Sequence, residues 1–341
     1  MTTIIDVAKR ANVSTATVSN AFNKPQRVKA ETRKRVLAVA AEMNFQPNLH
    51  ASGLRSQRTG IVGIVVSDIR FNYSAVVAHG IQEELRRANR TGLIANTDGS
   101  HQKTRAILRE LRQQGVRSFI LSPAQYRYDE ETLQLLREMQ ASGIHLAFVS
   151  NEMASFSADV VLWNAQEGTK QMVRHLVEQG HHQIAFVRLA LNRNTAGLKR
   201  WFGFQEGMIE AGLPLIPEYI FEGKMNFETG VQALDHFRQL PEPPTAIFAI
   251  DDIVAAGVIN RCYHLGIRVP HDLSVVGIGD LPIAQHLSPA LTTIGVDIEQ
   301  MGRKAAELLL ERLDNGELPP RKHYLDYQLI VRESSAEPKS R

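Results

Sequence analysis

A single cysteine, Cys262, among 341 residues rules out an internal disulfide and any cysteine-cluster zinc site. The histidines are scattered, and the adjacent His181 and His182 read as helix-capping or surface residues in preference to metal ligands. No apolar run is long enough to cross a membrane, and no basic, apolar, small-residue leader precedes the first helical pattern, so the chain is expected to stay in the cytoplasm. Catalytic signatures are equally scarce. There is no Gly-x-Ser-x-Gly elbow and no phosphate-loop lysine, and Gly277-Ile278-Gly279-Asp280 holds a GxG with no third glycine opening a helix behind it. Asp251-Asp252 has the makings of a carboxylate pair for magnesium or acid-base chemistry, yet no nucleophile, phosphate loop or metal-spaced histidine accompanies it. One aspartate of the two is read as a ligand or hinge contact and the other as the N-cap of a helix starting near Ile253. No catalytic residue, metal or cofactor is expected.

What the chain does have is concentrated at its start. Ile4, Val7 and Ala8 share one helix face, and Val18, Ala21 and Phe22 give a second short helix the same stripe. The joint between them needs a residue that tolerates positive φ, and Asn12 is the best non-glycine candidate. Ser14 then caps the second helix, leaving Thr15, Ala16 and Asn20 on the outward face near its start, where a recognition helix meets base edges. The helix pattern alone fits a small packing module equally well. Charge separates the two readings: residues 1–60 hold ten Lys and Arg against three Asp and Glu, the remainder 29 against 33. A basic first sixth on a mildly acidic remainder is the asymmetry of a phosphate-binding module tethered to a globular core.

The segment from Asp6-Val7-Ala8-Lys9-Arg10-Ala11-Asn12-Val13-Ser14-Thr15 through Val28, Thr32-Arg33 and a third helix striped by Val36, Val39, Ala40 and Met43 resembles the headpiece of the lactose-repressor family, most closely its purine-repressor branch. The resemblance implies DNA contacts at Ser14, Thr15, Ala16, Thr17, Asn20, Asn23 and Arg27. It also implies a hinge helix after Pro47-Asn48, with Ala51 on the DNA and Leu54 wedged into the minor groove, which offsets unstacking by the contacts a bent site allows. A lone apolar residue in a polar linker is the alternative for Leu54. Gly53 lowers helix propensity there by about 1 kcal/mol, so the hinge should depend on DNA and on a dimer mate to fold.

Beyond residue 60, short apolar runs alternate with helical patterns: Ile61–Val66, Leu93–Asn96, Ser118–Leu121, Leu146–Val149, Ile184–Val187, Ile220–Glu222, Ala246–Ile250 and Ser274–Ile278 as strands, with helices over Ala78–Ala88 and Thr104–Gln114 among the connections. Such alternation implies parallel sheets covered on both faces. One sheet of that width is implausible, and the natural division is two doubly wound lobes with a ligand between them. The expected fold is therefore an all-α helix-turn-helix headpiece (1–47), a hinge (48–59) and an α/β core (60–341). The family resemblance makes that core periplasmic-binding-protein-like, with lobe 1 over about 60–160 and 293–322 and lobe 2 over about 161–292 and 323–333.

The same resemblance carries cleft residues onto this chain. Arg200, before Trp201-Phe202-Gly203-Phe204, matches an arginine that clamps effector hydroxyls or carboxylate, a task suited to a planar two-pronged donor. Arg193 and Thr195 match ligand contacts, one residue out of register with Arg200, and Tyr73 matches a cleft-lining residue, a core-sealing loop aromatic being its other reading. Asp251 and Asp280 are retained as polar contacts. Four positions depart from the family pattern: Asp251 stands where an asparagine is usual, Gly279 replaces a hydroxyl-accepting aspartate, Ser150 replaces another, and Met225 replaces an aromatic platform. Two lost carboxylates beside Arg200, Lys199 and Lys224 favour an anion, and the Gly277-Ile278-Gly279 pattern resembles gluconate-type repressors, so a sugar acid or small carboxylate is the preferred effector. Asp251 argues against it unless it accepts hydroxyls. The reading as a whole is a ligand-responsive regulator binding double-stranded operator DNA as a homodimer, by induction or, as in the purine-repressor branch, by corepression. The competing class is an enzyme or solute receptor with an incidentally basic N-terminus. The polar C-terminal segment from Glu333 has no leucine heptads, so assembly should stop at the dimer.

Overall fold

The computed structural model describes residues 2–23, 25–45, 60–122, 128–150, 156–189, 195–316 and 318–339. The chain separates into two compact units, Met1–Gly60 and Ile61–Arg341. In the first, helices α1 (Ile4–Arg10), α2 (Thr15–Asn23) and α3 (Ala30–Glu42) close on Val7, Ala8, Ala11, Val18, Ala21, Val36 and Ala40, all of them buried. Every apolar stripe seen in the sequence points into that small core.

In the second unit the strands sort into two six-stranded sheets. Lobe 1 has the order β2 (Thr91–Asn96), β1 (Ile61–Val66), β3 (Ser118–Ser122), β4 (His145–Val149), β5 (Asp159–Trp163) and β11 (Lys322–Leu325), all parallel. Lobe 2 has β7 (Ile220–Gly223), β6 (Ile184–Leu189), β8 (Ala246–Ala249), β9 (Ser274–Gly279), β10 (Thr292–Val296) and β12 (Tyr327–Ile330), parallel except for β12 against β10. Helices α4 (Asn72–Arg87), α5 (His101–Gln113) and α6 (Glu130–Ala141) connect the strands of lobe 1. In lobe 2 the connecting helices are α7 (Ala165–Glu178), α8 (Thr195–Glu210), α9 (Phe227–Phe237) and α10 (Asp252–Leu265), and α11 (Ile298–Asn315) returns the chain to lobe 1. Side-chain caps start most of them: Ser100, Asp129, Asn164, Asn226, Asp251 and Asp297 each accept a first-turn amide.

The chain passes between the lobes three times, at Asn164, Asp297 and Asp326, each a single residue between two elements. These points fall three to five residues later than the sequence boundaries, because β5, β10, β11 and β12 escaped the strand reading. Three of them, Thr292–Val296, Lys322–Leu325 and Tyr327–Ile330, mix polar with apolar residues and lack the continuous apolar run by which the others were read. The result puts β5 and β11 in lobe 1 and β10 and β12 in lobe 2. Helix α4 also begins six residues before the expected Ala78.

His181 corrects another expectation. It is 1% exposed, its Nδ1 lies 2.8 Å from Thr245 Oγ1, and its Nε2 lies 2.9 Å from the carbonyl of Ala336. It is a buried link between lobe 2 and the C-terminal segment. His182 alone is exposed. Lobe 1 is tied internally by Asp159 at the head of β5, 1% exposed, which accepts from Arg312 Nε and Nη2 at 3.0 Å each and from the Arg321 amide at 3.0 Å. A buried carboxylate held by two arginines stays ionised, its pKa lowered despite burial.

Close helix packing rests on glycine. A Cβ on Gly80 would sit 2.2 Å from the Glu299 carbonyl, and one on Gly302 2.2 Å from that of Val77, so α4 and α11 touch backbone to backbone. Gly302→Ala should therefore cost about 1–3 kcal/mol by forcing the helices apart. Chemical denaturation followed by circular dichroism should give a lower midpoint for the core transition; an unchanged midpoint would mean the helices can separate freely.

Candidate nucleic-acid interface and effector cleft

In the headpiece, Thr3 and Asp6 form a reciprocal cap on α1, the Thr3 amide donating to Asp6 Oδ2 at 2.9 Å and the Asp6 amide to Thr3 Oγ1 at 3.4 Å. The α1–α2 joint turns at Asn12 with φ +51, the left-handed conformation its sequence position requires. Ser14 Oγ accepts the Thr17 amide at 3.1 Å and fixes the start of α2. Val18 and Ala21 face the core, Thr15 and Ala16 are exposed, and Thr17 and Asn20 are half-buried on the outer side. The Thr17 hydroxyl lies 2.9 Å from Ser14 Oγ, so it is engaged in the cap. Arg27, in the 3-10 turn Pro25–Arg27, and Lys9 are exposed. Arg33 Nε donates to the Ala21 carbonyl at 3.2 Å and anchors α2 to α3. Ala51 and Leu54 lie outside the described residues, as does the side chain of Asn23.

In an open parallel sheet, ligands collect outside the strand carboxyl ends where the strand order reverses. Those reversals lie between β1 and β3 in lobe 1 and between β6 and β8 in lobe 2. The expected cleft residues cluster there. Tyr73 opens α4 after β1, Ser150 follows β4 with φ +61, Arg200 sits in the second turn of α8 after β6, and Asp251 follows β8. The Tyr73 hydroxyl is hydrogen-bonded to Ser150 Oγ and also interacts with Ser122 at the end of β3. Burial raises the Tyr73 pKa, while Ser150 and the charge of Arg200 pull it back. Met225 follows β7 and packs half-buried against the core, beside an exposed Lys224. Arg193 and the side chain of Thr195 lie outside the described residues.

Arg200 is the centre of this group. It is 8% exposed, its Nη1 donates to the Ile250 carbonyl at 2.6 Å, and its Cζ lies 5.8 Å from the centre of the Trp163 ring at the end of β5. Its Nε is buried with no hydrogen-bond partner among the described residues. Burial lowers the Arg200 pKa, opposed by Asp251, Asp252 and Tyr73. Trp163 and Ser122 were missed from sequence, Trp163 because the strand that delivers it was not recognised.

The two aspartates have separate tasks. Asp251 Oδ1 accepts the Ile253 amide at 2.9 Å, making it the N-cap, and burial raises its pKa against the pull of Arg200. Asp252 is 0% exposed, with Oδ1 accepting from Thr293 Oγ1 at 2.6 Å and Oδ2 from the Leu281 amide at 2.7 Å. Burial and the neighbouring Asp251 push it up to about 7. Gly277 leaves room for this carboxylate, since a Cβ there would meet Asp252 Oδ1 at 2.4 Å, whereas Gly279 is required by its φ of +137. Asp280, expected to contact the effector, is instead paired with Arg332 Nη2 at 2.6 Å, while Arg332 Nη1 holds the Leu291 carbonyl at 2.8 Å. Its carboxylate is committed to closing the β9–β10 connection.

Residues 3–48 match the family model described as bacterial regulatory proteins, lacI family, and residues 173–335 match a periplasmic binding protein-like domain. The HTH-type transcriptional repressor PurR of Escherichia coli O139:H28 is 33% identical over 340 residues, covering 99% of this chain and 98% of that protein. The PurR of Photobacterium profundum is 31% identical over 334 residues, 98% of both chains. Among solved structures, a Lac repressor bound to ONPG in the repressed state superposes with a TM-score of 0.86 at 25% identity, covering 98% of this chain and 99% of that one. The transcriptional regulator CelR in complex with cellobiose gives 0.73 at 26% identity, over 98% and 100%.

Two outcomes follow from this geometry. Asn20→Ala should relax base preference at one position per half-site, by about 1–3 kcal/mol if its amide makes a paired adenine contact; unchanged selection from a randomised half-site library would remove Asn20 as a reader. The second concerns Asp252, whose folded pKa of about 7 lies above the ordinary 3.8. Folding then takes up a proton, so its contribution is full at acid pH and is lost as pH rises through about 7. Asn is isosteric, can accept from the Leu281 amide and can donate to Thr293. Asp252→Asn should therefore gain stability over the natural protein at about pH 8 relative to about pH 5, and parallel pH profiles of the two denaturation midpoints would refute it.

Proposed function

The chain belongs to the lacI family of bacterial regulatory proteins, and from that premise we propose that a small anionic metabolite, a sugar acid or related carboxylate, controls its hold on a pseudopalindromic operator. At the coarser level it is a ligand-responsive DNA-binding repressor and not an enzyme. The anionic reading is carried by Arg200, a buried guanidinium with donor capacity left over and an aromatic ring beneath it. A carboxylate satisfies such a group with two parallel hydrogen bonds. The remaining contacts suit hydroxyls: the second oxygen of Asp251, Ser150 and the Tyr73 hydroxyl, with Met225 as an apolar wall. Gly279 supplies no side chain, and Asp280 is held by Arg332, so the wall at β9 offers a neutral sugar little to bind.

DNA is engaged by a homodimer, because one headpiece reads only a few base pairs and two-fold pairing doubles the contacts. Thr15, Ala16 and Asn20 face the major groove, Lys9 and Arg27 add phosphate attraction, and Ala51 and Leu54 of the hinge enter the minor groove. A ligand changes DNA affinity only if it prefers one lobe arrangement, since equal affinity for both shifts no population. We assign the effector as an inducer. The full-length similarity to proteins named PurR favours a second reading, a corepressor-dependent switch of the purine-repressor kind.

Fluorescence anisotropy on DNA from the protein's own promoter region, titrated with sugar acids, neutral sugars and purine bases, separates these readings. Arg200→Ala should abolish the effector response while leaving effector-free DNA affinity within about 1 kcal/mol; a normal response in the variant, or a response only to uncharged sugars or purines, would end the anionic reading. Leu54→Ala should weaken operator binding far more than binding to random DNA, since only a bent site admits the wedge. Equal losses on both would contradict that role.

A further inference from the structure

We propose that an anionic effector enters this cleft together with one proton, which Asp252 takes up from solvent. The inference rests on the anionic reading above and concerns how the site accommodates the charge. Among the described residues, one cation, Arg200, faces two adjacent carboxylates, Asp251 and Asp252. None of the three is open to solvent: Arg200 and Asp251 are each 8% exposed and Asp252 is 0%. Around the pair stand Arg200 from α8, Asp280 from the connection after β9 with its partner Arg332 from the segment after β12, and Tyr73 from lobe 1, which interacts with Arg200. Asp280 is already neutralised by Arg332, so neither contributes spare positive charge.

A carboxylate bound to Arg200 makes a third negative charge for a single cation, in surroundings too dry to screen it. Neutralising one aspartate removes the excess. Asp251 is the poorer choice, because it faces Arg200 and its charge caps α10 through the Ile253 amide. Asp252 is better built for it. Its partner Thr293 carries a hydroxyl, which donates to the charged carboxylate and can rotate to accept from the protonated one, while the Leu281 amide donates to the other oxygen in both states. The only bond formed is O–H on Asp252, with the proton drawn from solvent. The burial that lifts Asp252 to about 7 leaves it largely charged just above neutrality in the free protein, where effector binding must then recruit the proton. Linkage requires affinity to fall as pH rises through that range.

The test is isothermal titration calorimetry of the full-length protein with sodium gluconate, galacturonate and glycerate, in HEPES and in Tris at about pH 8, with glucose and hypoxanthine as uncharged probes. For an acid that binds, the buffer dependence should report close to one proton taken up. Its affinity should fall about tenfold per pH unit above about pH 7.5 and level off below neutrality. Asp252→Asn should bind the same acid with no proton uptake and a flat pH profile. An acid that binds the natural protein without proton uptake, or uptake that persists in Asp252→Asn, overturns this proposal and leaves the anionic reading intact. Binding of glucose or hypoxanthine with none of the acids bound overturns both. Should Asp252→Asn fail to fold, the proton count and pH profile of the natural protein decide alone.

Discussion

Three connectors of one residue each, Asn164, Asp297 and Asp326, impose the geometry on which the rest of the core depends. After β5, β10 and β11 the chain leaves its sheet for the other lobe through one residue each, so these connectors carry little slack. Two of the connectors also cap the helix that follows: Asn164 accepts the Glu167 amide at 3.2 Å and Asp297 the Gln300 amide at 2.8 Å. Helix start and lobe crossing are thus fixed by the same side chains. A small rotation about short, capped joints is the kind of two-state element through which a cleft can influence a distant surface.

Within the cleft, the polar groups divide between those spent on structure and those left for a ligand, and burial makes the division sharp. Asp252, Asp280 and Arg332 are engaged in hydrogen bonds at the ends of β9 and β10, and the Asp252 carboxylate explains why Gly277 carries no side chain. Arg200 is the opposite case. Its Nη1 donates to a backbone carbonyl, whereas among the described residues its buried Nε has no partner, and such an N–H is costly until something accepts from it. The site thus stores an unmet demand for an acceptor at the point where the strand orders reverse. Asp251 caps α10 with one oxygen.

The headpiece solves a simpler problem with local means. Seven small buried side chains supply its core, and its helix ends are set by Thr3, Asp6, Asn12 and Ser14 rather than by long-range packing. Small apolar residues fill the inner face of α2 and leave Thr15 and Ala16 exposed, and Lys9 and Arg27 are exposed as well. So modest a core is consistent with a module whose task is presentation, with binding energy coming from the nucleic acid.

How much of this was legible in the sequence follows from the range of the interactions. Caps, the Asn12 turn, the headpiece stripes and the long β-branched strands are decided by residues within a few positions of one another, and all could be read directly. The alternation of strands and helices likewise implied two parallel sheets. β10, β11 and β12 were not read so, because polar residues interrupt their apolar runs and their strand character comes from the neighbours they pair with; β5 was also passed over. The fates of His181, Asp252 and Asp280 were hidden for the same reason: each is defined by a partner at least 29 residues away in sequence, Ala336, Leu281 and Thr293, or Arg332. Local patterns within the chain were enough to show the kind of protein it is, because headpiece stripes, caps and strand–helix alternation are short-range. Only the tertiary structure decided which of its polar groups are already satisfied by the fold, and hence which remain available to a ligand.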